Sequence, residues 1–107
     1  MSIERPDNWV VLKIANKDND EITYKVLAGW SGGYLGSDSW RLNSGITEVE
    51  IYGEHYIFRG YSGSEYWCHM ETYGLKMNNA GVWKDISEAF PDTVSLMDEK
   101  TNWSKLV

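Results

Sequence analysis

Two histidines, one cysteine and several closely spaced carboxylates are the residues of this chain best suited to catalysis or metal binding. Cys68 and His69 are adjacent, and a thiol beside an imidazole is the minimum for a nucleophile with its base. The segment around them reads as a strand, where neighbouring side chains point to opposite faces. They therefore cannot form a dyad within that strand, and the expected role of Cys68 is that of a small buried hydrophobe. His55, His69 and Cys68 match no standard zinc spacing, so neither a metal nor any other cofactor is expected. Asp18-Asn19-Asp20 begins like a calcium loop. The sixth and twelfth positions of such a loop fall on Thr23 and Gly29, where glycine and glutamate are required.

Glu48 and Glu50 share a strand face by the period of two, with Glu54 close by. Two carboxylates with split pKa values could act as acid and base. Arg59 falls opposite Glu48, however, and a solvated ion pair accounts for the same residues. The glycines at 29, 32, 33 and 36 do not make a phosphate loop, because no lysine and threonine follow in the required spacing. They do make an irregular segment bracketed by Trp30, Tyr34 and Trp40. Large aromatics on a glycine-rich loop suit a contact surface, since they offer area at little entropy cost. The same rings would also serve as a lid over the end of a small sheet.

The elements that must position these residues are mostly strands. Residues 9–15 and 22–30 read as a hairpin around a polar loop at 17–21, with Ile14 opposite Tyr24, Leu12 opposite Val26 and Val10 opposite Ala28. A short strand is expected at 39–43. Residues 47–52 and 55–60 flank Gly53-Glu54, which fits a type II′ turn because glycine tolerates its first central position. That register pairs Ile51 with Tyr56 and Val49 with Phe58 on one face, and Glu48 with Arg59 and Tyr52 with His55 on the other. Residues 65–71 form a further strand whose inward face depends on the preceding loop. A helix is expected at 80–90, capped by Asn79 and stopped by Pro91. Val82, Ile86 and Phe90 make its apolar stripe, widened by Trp83 and Ala89. A last short strand is expected at 93–97, with residues 98–107 as a partly ordered tail held by Trp103. The expected fold is α+β: one domain over residues 1–107, with an antiparallel, curled meander sheet of five or six strands and the C-terminal helix packed on one face.

The 107 residues carry a formal charge of −6, with the acidic excess spread along the chain. Without a cluster of Lys and Arg there is no basis for phosphate recognition, so neither nucleic acid nor an anionic membrane is an expected partner. No apolar run reaches the length of a membrane span. The opening residues 1–6 carry no apolar leader, and Cys68 is the only cysteine, so a cytoplasmic location is expected. Six Trp, seven Tyr and two Phe are the unusual feature of the composition. Together these point to a small acidic protein-binding module, of the inhibitor or immunity type, that acts by occupying a partner's surface. A basic partner is electrostatically favoured, and the oligomeric state is not encoded in any pattern found. The contact residues would be Trp30, Tyr34 and Trp40 with Glu48, Glu50, Tyr52 and Arg59. Two other classes compete: a carbohydrate or small-ligand module stacking on exposed Trp and Tyr, and a small enzyme using His55, His69 or Cys68. Co-planar exposed rings would favour sugar, a deep His-lined pocket catalysis, and a broad acidic-aromatic patch a protein.

Overall fold

The run Asn8-Trp9-Val10-Val11-Leu12 lacks any alternation of apolar and polar residues, and all of its side chains are buried. A strand of this kind is covered on both faces. The computed structural model, which describes residues 2–32 and 38–107, shows what covers it. Eight strands are described: β1 (Ile3–Glu4), β2 (Asn8–Ala15), β3 (Ile22–Trp30), β4 (Ser39–Leu42), β5 (Ile46–Tyr52), β6 (His55–Gly60), β7 (Glu65–His69) and β8 (Val94–Leu96). One helix, α1 (Ala80–Ala89), lies between β7 and β8, and a 3-10 turn (Trp103–Lys105) comes near the end.

The strands form two four-stranded sheets, ordered β1-β7-β6-β5 and β4-β3-β2-β8. The sheets share one core. Trp9, Val11, Val26 and Ala28 from one meet Ile46, Phe58, Tyr66 and Cys68 from the other, with Trp103 of the 3-10 turn. On its other face the β2 sheet buries Val10, Leu12, Leu27 and Val94 under Val82, Trp83 and Ile86 of α1. The layers are therefore sheet, sheet, helix, and β2 lies in the middle one.

This arrangement corrects the single curled sheet. The chain does run as a meander, but twice, through β2-β3-β4 and then β5-β6-β7. The switch between sheets occurs over Asn43-Ser44-Gly45, short enough to resemble a hairpin turn. Asn43 is buried and completes the edge of β3: its N–H donates to the Val26 carbonyl (3.0 Å), and its Oδ1 accepts the Val26 N–H (2.8 Å). Gly45 has φ 134° and would place any Cβ 2.8 Å from the Tyr61 ring. Strand β1, absent from the sequence reading, pairs in parallel with β7.

The β2–β3 register also differs from expectation by one residue. Val10 pairs with Leu27, Val11 with Val26, and Leu12 with Lys25. The expected register gathered all the apolar side chains on one face. With both faces buried there was no such single face to gather. The hairpin of β5 and β6 has the expected register throughout, from Tyr52–His55 to Glu48–Arg59. Gly53 has φ 61° while Glu54 is not left-handed, as a II′ turn requires. In β7 it is Tyr66 and Cys68 that point inward.

The helix ends at Ala89. Phe90, expected on the buried stripe, is 57% exposed. It precedes Pro91, a position steered away from helical backbone, and its own φ of −133° takes it off the stripe. Ala89 is exposed as well. Asn79 is not a cap, since its side chain makes no capping hydrogen bond. It is fully buried instead, accepting from Lys76 N–H (2.9 Å) and Asn8 Nδ2 (3.2 Å) and donating to the Leu27 carbonyl (3.4 Å). The tail docks as expected, with Trp103 in the core and its ring 5.5 Å from that of Trp9.

A cap and a buried bridge respond differently to substitution. Aspartate caps a helix as well as asparagine does, but it cannot donate to Leu27 and would bury a charge. Asn79→Asp is expected to destabilise the fold at least as much as Asn79→Ala, which itself should cost about 1–3 kcal/mol. Urea melts decide this, and an Asp variant as stable as the parent would restore the capping role.

Candidate functional site

Because α1 and the β1-β7-β6-β5 sheet cover the two faces of the middle layer, the face still open to solvent on a well-formed sheet is the outer face of β1-β7-β6-β5. Alternation puts Glu48, Glu50 and Tyr52 of β5, His55, Ile57 and Arg59 of β6, and Glu65, Trp67 and His69 of β7 on that side. Its centre is Ile57, paired with Glu50 on one flank and Trp67 on the other, and buried.

Around Ile57 the polar groups are tightly organised. Arg59 contacts three carboxylates, Glu50 at 2.9 Å, Glu65 at 3.0 Å and Glu48 at 3.2 Å. Those bonds, Glu50 first and Glu65 next, raise the Arg59 pKa above its ordinary value. Glu65 also accepts the indole N–H of Trp67 at 3.0 Å. The hydrogen bonds from Trp67 and then Arg59 hold its carboxyl below the ordinary range. The Arg5 guanidinium lies 4.6 Å over the Trp67 ring, a cation–π contact that covers one face of the indole. Tyr52 meets the same ring edge-on, with centroids 5.5 Å apart and planes at 61°.

The histidines close the end of this face. His55 and His69 are cross-strand partners with rings 5.1 Å apart. His69 Nδ1 accepts the Glu71 N–H, which leaves Nε2 to donate to Glu54 at 3.2 Å. Cys68 points the other way, into the core, where burial pushes its thiol well above the ordinary pKa. An imidazole on one face and a thiol beneath the other cannot exchange a proton directly. Among the described residues no three His, Cys, Asp or Glu side chains converge as a metal site requires.

The sequence-derived contact residues thus divide into two groups. Glu48, Glu50, Tyr52 and Arg59 are brought together on this face. Trp30 and Trp40 lie on the other sheet, at the β3–β4 end, and Tyr34 falls outside the described residues. Trp30 is partly buried, and its indole N–H donates to the Arg5 carbonyl at 2.9 Å. Trp40 is 51% exposed. With Glu4, Ser39 and Arg41 they line a shallow recess of about 270 Å³, spanned by the Arg41–Glu4 ion pair at 2.6 Å. Sequence reasoning missed Arg5, Glu65 and Trp67. Glu65 and Trp67 are two apart on one strand, which was a usable signal once the strand's face was known. Arg5 gave none, since it reaches the face only through the parallel pairing of β1. No protein-family model, curated protein or solved structure matches the chain, so the site has to be read from its own geometry.

Two measurements test these environments. Because the folded pKa of Glu65 is lowered, its ionised form stabilises the fold above the ordinary carboxylate range, and that contribution is lost as pH falls through the lowered value. Glu65→Gln should lower the melting temperature at pH 7, and the gap from the parent should close as pH falls from the ordinary carboxylate range through that lowered value. A gap that stays constant with pH would assign the effect to packing. Cys68 should resist thiol reagents in the native protein and react at the rate of unfolding. Fast labelling of folded protein at neutral pH would contradict its buried position.

Proposed function

We propose that this chain is a protein-binding module that acts by occupying a partner's surface, in the manner of an inhibitor or immunity protein, and that the outer face of the β1-β7-β6-β5 sheet makes the contact. The observation that carries the reading is the assembly around Ile57, an open sheet face bearing Tyr52 and Trp67 beside four carboxylates, Glu48, Glu50, Glu54 and Glu65. Arg59 and Arg5 are the cations on that face, so it presents net negative charge to an approaching partner. Tyr and Trp anchors in a fixed polar frame are the composition of contact surfaces that recognise proteins.

The competing classes find less support. A sugar stacks on flat exposed ring faces, but Tyr52 and Trp67 stand at 61° and Arg5 occupies one face of the indole. Catalysis calls for a recess around the histidines. Three recesses among the described residues are lined elsewhere, by Tyr73 and Glu99, by Trp30 and Arg41, and by Ile14 and Phe90. No helix among the described residues is long and apolar enough to cross a membrane. A basic partner suits the acidic face, with charge acting more on encounter rate and selectivity than on affinity.

A partner captured from the native host and identified by mass spectrometry provides the test. Tyr52 is 62% exposed, so Tyr52→Ala should leave the melting temperature nearly unchanged while weakening binding by about 2 kcal/mol. Added salt should slow association more than it speeds dissociation. Trp40→Ala should bind like the parent. The opposite pattern, with Trp40→Ala impaired and Tyr52→Ala normal, would move the contact to the β3–β4 end.

A further inference from the structure

The outer face has a border that none of its side chains explains. Each sheet has two edge strands. Among these, β1 has 2 residues, β8 has 3 and β4 has 4, whereas β5 has 7. Folded proteins ordinarily keep edges short or covered, because an edge strand carries a row of unpaired N–H and C=O groups. A two-residue hairpin loop makes its flanking residues, Tyr52 and His55, a hydrogen-bonded pair. Alternation then puts Glu50–Ile57 and Glu48–Arg59 in the same class. Val49 and Ile51 are left with their N–H and C=O turned away from β6. Among the described residues no other hydrogen bond reaches them. The nearby C-terminal segment closes its backbone bonds on itself, Thr101 to Asp98, Lys105 to Asn102 and Leu106 to Trp103.

We infer that the β5 edge is a strand-addition site, and that its occupant is an extended segment of a partner protein in which basic residues alternate with apolar ones. The inference rests on the protein-binding reading of the adjoining face and specifies how that partner engages it. Backbone pairing to Val49 and Ile51 supplies the register. On the outer side a guest strand lies beside Glu48 and Glu50, which already outnumber the single Arg59 they share, so cationic side chains are matched there. On the inner side it lies beside Val49 and Ile51, the latter 52% exposed, so apolar side chains are matched there. A second copy of this chain is a poor occupant. Antiparallel pairing of β5 with itself, whether Val49 meets Val49 or Ile51 of the copy, sets a glutamate of one chain against a glutamate of the other, and like charges directly opposite are destabilising.

The test uses the full chain and a blocked synthetic peptide of about seven residues, the length of an ordinary strand, alternating lysine and valine. The peptide should bind and should protect the Val49 and Ile51 amides from hydrogen exchange. Methylating its valine nitrogens, which removes the donors facing β5, should weaken binding by about tenfold or more. Replacing its lysines by glutamates should abolish binding. Ile51→Pro removes one outward N–H at a position where an edge strand tolerates proline, and should bind about tenfold more weakly. The N-methylated peptide keeps the test independent of how well that variant folds. Equal binding of methylated and unmethylated peptides, or perturbation at Trp67 with no protection at Val49 and Ile51, would overturn the edge site while leaving the face reading standing. No binding up to about 1 mM peptide would also overturn it. The face reading falls separately, if the captured partner is indifferent to Tyr52→Ala.

Discussion

Everything in this architecture follows from the burial of β2 on both faces. Trp9 and Val11 go to one side and Val10 and Leu12 to the other, all without solvent exposure. Such a strand needs two covers. One is the β1-β7-β6-β5 sheet and the other is α1, and each can offer only one apolar surface. The helix stripe of Val82, Trp83 and Ile86 is spent on Val10, Leu12 and Leu27. The inner row of Phe58, Tyr66 and Cys68 is spent on Trp9 and Val11. The outer row of that second sheet is the surface left over, so the position of the open face is a consequence of how the middle strand is buried.

The covers are held in place by rings and by amides. Trp9 has the rings of Tyr73, Phe58, Trp103 and Tyr56 around it, at 4.8, 5.3, 5.5 and 6.1 Å, and donates its indole N–H to the His69 carbonyl. The contacts come from the facing sheet, the loop after β7 and the tail, so one side chain ties together segments far apart in sequence. Tyr73 continues the link, accepting from Val11 N–H and donating to the Met97 carbonyl, with burial pushing its hydroxyl up to about 12. Beside Trp9, at the start of β2, Asn8 bonds to Asn78, Asn79 and the Gly74 carbonyl. Among the described residues Asn78 Oδ1 has no hydrogen-bond partner. That oxygen sits where a Cβ on Gly29 would come within 2.0 Å of it, so the close packing of β3 against the segment before α1 depends on glycine at that position.

What could be read from the sequence was local. The β5–β6 hairpin was legible because turn chemistry, apolar pairing and the Glu48–Arg59 pair all specified one register. The helix core, the strand spans and the docking of Trp103 were legible from spacing and composition. What was not legible depended on partners remote in sequence. The β2–β3 register failed because the rule that one face is apolar does not hold for a strand buried on two. The split into two sheets turned on Asn43, a polar residue whose role emerges only beside Val26. Asn79 looked like a cap because caps are the common use of asparagine before a helix, and its true partners, Asn8 and Leu27, lie more than fifty residues away. Half of the candidate site was visible, the half carried by the hairpin. Trp67 and Glu65 waited on the facing of β7, and Arg5 on a parallel pairing that two residues of β1 scarcely signal.

The same hairpin gives the open face its rigidity. Glutamate and arginine side chains ordinarily lose much rotamer freedom on binding, and that loss offsets interface energy. Here Arg59 is already held by Glu48, Glu50 and Glu65, Glu65 by Trp67, and Trp67 between Arg5 and Tyr52. Exposed ion pairs of this kind contribute little to folding stability when taken singly. Linked into a chain over a buried Ile57, they fix in advance the side chains that a partner would otherwise have to order. On the proposed binding role, a network of small value to the fold is of larger value to recognition, because its entropy loss occurs on folding and not again on association. The charges left over after Arg59 is shared among three carboxylates are negative and lie along β5. The face therefore combines a preordered aromatic centre with a polarised rim, beside the longest edge strand described.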